Sequence, residues 1–241
     1  MVPDAPQGRA ASEGAAQTLH DLPRAILFDL DGTLADTAPD LAAAVNRLRT
    51  DRGLPPVAYS SLRPVASAGA RGLIGAAFDM TPADPEYEPL RTAFLQNYTA
   101  SIAARSTLFG GVTELLAALA ERGIPWGIVT NKAAHLTDRL IPLIGLQHAG
   151  CVIAGDTTPH AKPHPAPLLE AARRLRIPAQ QCWYVGDDLR DIEAGRAAGM
   201  VTLAAAWGYC GASLPQTWGA DLVLATPLDL CLHLACAGNV S

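Results

Sequence analysis

The sequence predicts an α/β protein, a doubly wound parallel sheet with a small helical subdomain inserted into it, and three observations lead there. From residue 107 onward, short apolar runs alternate with helical stretches of about ten residues, the pattern of right-handed βαβ units. Near the N-terminus a separate apolar run, Ile26-Leu27-Phe28, reads as one more strand. Between the two, helical periodicity fills a block that holds hardly a strand. The expected organisation is an extension at 1–23, a core assembled from 24–36 and 107–236, and a helical cap at 37–106.

Residues 1–21 are rich in Ala, Gly, Pro and Gln and lack the apolar segment of a secretion signal, so a disordered extension is expected. The first strand ends on Asp29-Leu30-Asp31-Gly32-Thr33. Successive strand side chains alternate in direction, so Asp29 and Asp31 project the same way from the strand tip. Gly32 permits a sharp exit turn. Thr37 and Pro39 then read as a helix start, and Leu41, Ala44, Val45 and Leu48 form one apolar helical face that Gly53-Leu54-Pro55-Pro56 closes. A second helical run crosses 60–66, breaks at Ala68-Gly69-Ala70-Arg71-Gly72, and resumes through Leu73, Ile74 and Phe78. A proline-rich loop at 81–89 precedes another helix, in which Leu90, Phe94, Tyr98 and Ile102 step by four.

The core resumes with a helix around Val112, Leu115, Leu116 and Leu119, then a buried strand ending on Thr130-Asn131-Lys132. A helix around Leu136 and Leu140 follows, which Pro142 should bend or end. Next come a strand at 151–154, a loop at 155–165, a helix at 167–175, a strand at 182–185, the loop Gly186-Asp187-Asp188, and a helix reaching Gly199. Strands at 201–205 and 222–225 finish the sheet.

Composition narrows the function classes. Of 241 residues, 49% are apolar and 17% charged, which describes a globular protein, and the net charge of -5 excludes a broad basic surface for nucleic acid or anionic membrane. No run approaches the roughly 18 apolar residues of a membrane span. Five cysteines without a C-x-x-C pair suggest neither a disulfide framework nor a zinc ribbon, so a cytoplasmic location is expected.

In doubly wound sheets the ligand site lies beyond the carboxyl ends of the strands. Those ends here carry Asp29 with Asp31, Thr130 with Asn131, the loop holding Lys162, and Asp187 with Asp188 and Asp191. Two carboxylates on one strand tip repel each other unless a cation intervenes, and a hard divalent cation such as Mg2+ suits oxygen ligands. If the ligand is a small phosphomonoester, each residue type has a task. Asp29 attacks phosphorus and becomes an aspartyl-phosphate, and Asp31 serves as general acid and then general base. Mg2+ on Asp29, Asp187 and the Leu30 carbonyl screens nucleophile from phosphate. Thr130 and the Asn131 backbone bind non-bridging oxygens, Lys162 supplies positive charge, and Asp188 and Asp191 orient metal-bound water or hold Lys162. Bland readings stand beside these: Thr130-Asn131 and Asp187-Asp188 as helix caps, Lys162 as a solvated loop lysine, His160 and His164 as loop packing. Chance arrival of all four segments at one sheet edge is the weaker explanation.

These residues, in this order, resemble the haloacid dehalogenase superfamily of phosphatases. Asp29-Leu30-Asp31-Gly32-Thr33-Leu34-Ala35-Asp36-Thr37 is similar to its first motif, Ile128-Val129-Thr130-Asn131 to its second, Lys162-Pro163 to its third, and Gly186-Asp187-Asp188-Leu189-Arg190-Asp191 to its fourth. The resemblance implies a Rossmann-like core with a mobile cap, Asp29 as nucleophile, Asp31 as acid and base, and Mg2+ on Asp29, Asp31 and Asp187. Within the superfamily, Asp36 to Leu41, Gly155 to Pro159 and Gly186 to Asp191 resemble phosphoglycolate phosphatases. Ser67-Ala68-Gly69-Ala70-Arg71 and Trp218-Gly219-Ala220-Asp221 resemble the group that acts on N-acetylmuramic acid 6-phosphate. The implied activity is hydrolysis of 2-phosphoglycolate, with the amino-sugar phosphate or a phosphosugar mutase reaction as alternatives. A metal-free dehalogenase has no use for Asp31 and Asp187, and a phospho-acceptor signalling domain would be about half this length. Specificity is expected in the cap, where Arg71, read as lying on a glycine-flanked loop, would meet a substrate carboxylate.

Overall fold

The computed structural model describes residues 22–237. The extension expected at 1–23 therefore lies, apart from its last two residues, outside the described residues. β1 (Ala25–Phe28) is buried along its whole length, with Ile26 and Phe28 on one face and Ala25 and Leu27 on the other, as a strand covered on both sides requires.

After the Asp29 to Leu34 turn the chain forms β2 (Ala35–Asp36), the helices α1 (Ala38–Asp51), α2 (Tyr59–Leu62), α3 (Gly69–Phe78) and α4 (Tyr87–Ala100), and then β3 (Thr107–Leu108). β2 and β3 pair antiparallel, so the chain leaves for the helices and returns along one short ribbon. Asp40, in the first turn of α1, ties that return: its carboxylate accepts from the Arg105 and Ser106 amides and the Ser106 hydroxyl. The break between the second and third helices falls earlier than the glycines suggested. A 3-10 turn spans Arg63–Ala68, and α3 begins at Gly69 itself. Arg71 is accordingly in the first turn of a helix and not on a loop.

The alternation then runs as expected: α5 (Val112–Glu121), β4 (Trp126–Val129), α6 (Ala134–Leu143), β5 (Val152–Ile153), α7 (Ala166–Leu175), β6 (Cys182–Gly186), α8 (Leu189–Ala197), β7 (Val201–Ala205), β8 (Leu222–Leu224) and α9 (Pro227–Ala237). Pro142 sits one residue from the end of α6. The sheet order is β5-β4-β1-β6-β7-β8 and every pairing in it is parallel. Leu27, Val129, Ile153 and Tyr184 pack under α7 and α8, while Ile26, Phe28, Ile128 and Val185 share the other core with α5, α6 and α9. β1 is central, and the chain winds away from it in both directions, which puts the carboxyl ends of β1, β4 and β6 at the switch point.

Candidate active site

Asp29 continues β1 by one residue, its amide donating to the Val185 carbonyl of β6 at 2.9 Å. Beyond it the chain turns sharply. Gly32 adopts φ +93°, and a Cβ there would overlap the Asp187 carboxylate, so only glycine lets the turn approach that acid. Gly208 and Gly186 clear space in the same way beside Asp187 and Asp191. The Leu30 carbonyl, expected to face a metal, accepts the amides of Leu34 at 3.1 Å and Ala35 at 2.9 Å and is thereby committed to the turn.

The acids gather, though not quite in the expected set. Asp29, Asp187 and Asp191 each offer an oxygen within 4.8 Å of the others, and all three are buried. Asp31, expected as the third ligand, is outside this cluster. Both its oxygens face Lys132 Nζ, at 2.9 and 3.0 Å, and the Thr37 hydroxyl donates to one of them. Asp191 takes the third place because α8 starts at the tip of β6. Asp188 caps that helix, and the Asp191 side chain accepts from the Asp188 amide in a capping box, which aims Asp191 back at the cluster. The helix-cap reading of Asp188 is thus correct, and it also serves the site.

Lys162 is no solvated lysine. Its ammonium, 3% exposed, lies 2.7 Å from both Asp29 Oδ1 and Asp191 Oδ1, and donates to the Val129 carbonyl and the Tyr184 hydroxyl at 2.9 and 2.8 Å. Its loop is pinned by Asn131, whose side chain accepts from the Lys162 amide and donates to the Lys162 carbonyl, both at 2.9 Å. The Asn131 side chain is therefore consumed in joining two loops. Thr130 is buried at the tip of β4, its amide bonded to Ile153 and its hydroxyl oxygen accepting from the Lys132 amide. His160 and His164 pack their rings 4.4 Å apart, away from the acidic cluster.

Charge makes the cluster thirsty for a cation. Three carboxylates and one ammonium leave two formal negative charges. Burial, opposed by Lys162 and reinforced by Asp191, pushes the Asp29 carboxyl up to about 7, and burial with the fields of Asp29 and Asp191 raises Asp187 well above the carboxylate range. A divalent cation with hard oxygen ligands would satisfy this donor set without a proton. Lys132 differs: burial would lower its pKa, but Asp31 and Tyr98 together outweigh burial and the net shift is upward.

The helical block closes over these residues. Together they enclose a cavity of about 320 Å3 with Asp29, Asp31 and Lys162 on the sheet side and Arg71, Tyr87 and Tyr98 on the other. Ser67, in the 3-10 turn, donates from its hydroxyl to Asp187 Oδ2 at 3.0 Å, while Arg190 bonds the Ser67 carbonyl at 3.0 Å and Asp188 at 2.8 and 2.9 Å. Arg63 lies 5.0 Å over the Tyr209 ring and donates to the Gly208 carbonyl.

A family model for haloacid dehalogenase-like hydrolases matches residues 23–199. The chain belongs to that family. A phosphoglycolate phosphatase from Xanthomonas campestris pv. campestris is 48% identical over 210 residues, covering 86% of this chain and 95% of the relative. An N-acetylmuramic acid 6-phosphate phosphatase from Pseudomonas aeruginosa is 42% identical over 209 residues, covering 86% and 92%. The crystal structure of a predicted phosphoglycolate phosphatase from Haemophilus somnus 129pt superposes with a TM-score of 0.76 at 26% identity, covering 87% of this chain and 96% of the other.

Among haloacid dehalogenase-like features of this chain, sequence reasoning passed over Lys132, Ser67 and Arg190. Lys132 had a visible signal, a cation directly after the polar tip of β4, next to the strand that carries Asp31. Ser67 and Arg190 had none, because their contacts join segments 120 and 123 residues apart in sequence.

Proposed function

We propose that this hydrolase is a Mg2+-dependent phosphatase that converts 2-phosphoglycolate to glycolate and phosphate. The observation that carries the reading is the juxtaposition of a buried carboxylate nucleophile, Asp29, with a second carboxylate on its own lysine, Asp31, at the floor of one cavity. The helical block at 37–106 is the cap and the remainder, 24–36 and 107–236, the catalytic core.

Asp29 Oδ attacks phosphorus in line and the bond from phosphorus to the ester oxygen breaks, leaving an aspartyl-phosphate. Asp31, having taken up a proton as the dianionic ester binds, gives it to the departing ester oxygen and so becomes the base that deprotonates the incoming water. That water attacks phosphorus, the bond to Asp29 breaks, and phosphate leaves. Lys162 and the Thr130 hydroxyl, with the Asn131 amide, hold the non-bridging oxygens in place. Asp29 and Asp187, with Asp191 beside them, would hold Mg2+, which supplies positive charge between the nucleophile and the phosphoryl oxygens. Arg71 at the cap end of the cavity meets the substrate carboxylate. Lone thiols at Cys151, Cys182, Cys210 and Cys231 suit the reducing cytoplasm to which we assign the enzyme.

The cavity itself favours a second reading. Its volume equals that of roughly ten liquid water molecules, more than a two-carbon ester fills, and an N-acetylmuramic acid 6-phosphate would use the remainder. Phosphate release by the purified protein with Mg2+ decides between them, with 2-phosphoglycolate, the amino-sugar phosphate, sugar phosphates and nucleotides as substrates. A kcat/KM preference of about a hundredfold, some 2.7 kcal/mol in transition-state terms, selects the substrate. No release from any of them sinks the phosphatase reading. Arg71→Ala should raise KM for the preferred carboxylated substrate, and an unchanged KM removes Arg71 from recognition.

A further inference from the structure

Lys132 is the buried cation for which the chemistry above has no task. It follows Thr130-Asn131 at the tip of β4, its side chain is 6% exposed, and its ammonium faces both oxygens of Asp31 at 2.9 and 3.0 Å. Behind it stands α4 of the cap: the Tyr98 ring centroid is 4.8 Å from Nζ. The Tyr98 hydroxyl is itself fully buried and makes no hydrogen bond among the described residues.

A carboxylate two residues from the nucleophile has two available jobs, and they require opposite placements. As a metal ligand it must present an oxygen to the Asp29, Asp187 and Asp191 cluster. As a proton carrier it must stay out of that cluster and lie beside the leaving group. Here Lys132 and Thr37 hold Asp31 on the far side. Among the described residues no other cation pairs with Asp31: Lys162 bridges Asp29 and Asp191, and Arg190 is bound to Asp188 and the Ser67 carbonyl. Nor is Lys132 well placed to grip a phosphate: of its three donors, two are directed at Asp31 and the remaining side is covered by Tyr98.

We propose that Lys132 is a positioning residue whose ammonium, backed by Tyr98, withholds the Asp31 carboxylate from the metal cluster and reserves it for proton transfer. The assignment of proton transfer rests on the phosphatase reading; the withholding does not. An ion pair of this kind orients a side chain without touching substrate, as outer partners do around metal ligands.

The test uses the full chain in five forms: wild type, Lys132→Met, Lys132→Arg, Asp31→Asn, and Lys132→Met combined with Asp31→Asn. Mn2+ affinity is read by electron paramagnetic resonance, and steady-state kinetics on the preferred phosphomonoester. Lys132→Met should lower kcat by about a hundredfold, the scale of a misplaced catalytic group, with KM within about threefold. It should also tighten Mn2+ binding, because Asp31 is released toward the cluster, and the gain should vanish in the Asp31→Asn background. Lys132→Arg keeps the charge and should recover at least tenfold of the lost kcat.

A raised KM with kcat preserved would make Lys132 a substrate contact and overturn the proposal. So would a Mn2+ gain that survives in Asp31→Asn, since that is charge removal alone. Should Lys132→Met fail to fold, Asp31→Asn carries the decision: Mn2+ affinity equal to wild type upholds the withholding, and a loss of more than about tenfold makes Asp31 a ligand and ends the idea. The metal measurements need no turnover, so failure of the phosphatase reading shows separately, as absence of phosphate release by the wild type.

Discussion

Asp29 and Asp31 leave the same strand two residues apart and on the same side, yet they belong to two different electrostatic regions. Asp29 shares one lysine with Asp191 and faces Asp187, so it sits in a cluster with an excess of negative charge. Asp31 has a lysine of its own and the Thr37 hydroxyl besides, so its charge is already balanced. The difference teaches that spacing along a strand delivers two acids to one place, whereas their tasks are set by what the neighbouring strands bring. β4 supplies Lys132 to one, and β6 with α8 supplies Asp187 and Asp191 to the other.

Removing each acid in turn gives the largest expected effects. Asp29→Asn should reduce kcat by ~10⁴-fold or more, the scale of losing a covalent nucleophile, and acid quenching should trap no phosphoenzyme. Asp31→Asn should cost roughly 10²- to 10⁴-fold by slowing both proton transfers, and the intact Asp29 should still form a phosphoenzyme that acid quenching traps. Equal phosphoenzyme levels in the two variants would erase the division between the regions.

A smaller, structural contrast lies in the lysines. Lys162→Met leaves Asp29 and Asp191 buried with no counter-charge, and breaking such a pair costs about 3–5 kcal/mol. The urea midpoint should fall accordingly, and millimolar Mg2+ should restore part of it by replacing the missing charge in the cluster. Mg2+ should raise the midpoint of Lys132→Met by more than that of wild type, and the excess should vanish when Asp31→Asn is added, because the released acid is its source. Gly32→Ala addresses the Asp29 region alone: with φ at +93° and its new Cβ against Asp187, it should lose roughly 2 kcal/mol and weaken metal binding.

Much of this was legible before any coordinates. The apolar run of β1, the βαβ alternation after 107 and the polar residues at four strand ends follow from local rules, and local rules located Asp29, Thr130, Lys162 and Asp187 at one edge. What local rules miss is direction. Asp191 was expected only as support, but the capping box of α8 turns its carboxylate inward. The Leu30 carbonyl was expected to point at a metal, but the tight turn before β2 uses it three times over. Arg71 was placed on a loop because two glycines flank it, whereas α3 accommodates both. Lys132 was visible in the sequence and its partner was not, since that pairing depends on β4 lying directly beside β1.

The smallest expected effect is a pH dependence that separates the two acids. Burial first, and then the neighbouring Asp191, push the Asp29 carboxyl up to about 7 from its usual 3.8, against the pull of Lys162. The folded protein without metal therefore binds that proton more tightly than the unfolded chain does. The stability it contributes is fully present below pH 3.8 and is lost as pH rises through 7. In chelator-treated protein the urea midpoint should accordingly fall between pH 5 and 8, and saturating Mg2+ should flatten the slope, because the cation stabilises the carboxylate directly. Asp29→Asn should flatten the slope in part, since burial raises Asp187 as well, and Asp31→Asn should leave it whole. A slope that follows Asp31 instead would mean that the excess charge lies in the other half of the site, and the contrast between the two acids would have to be redrawn around Lys132.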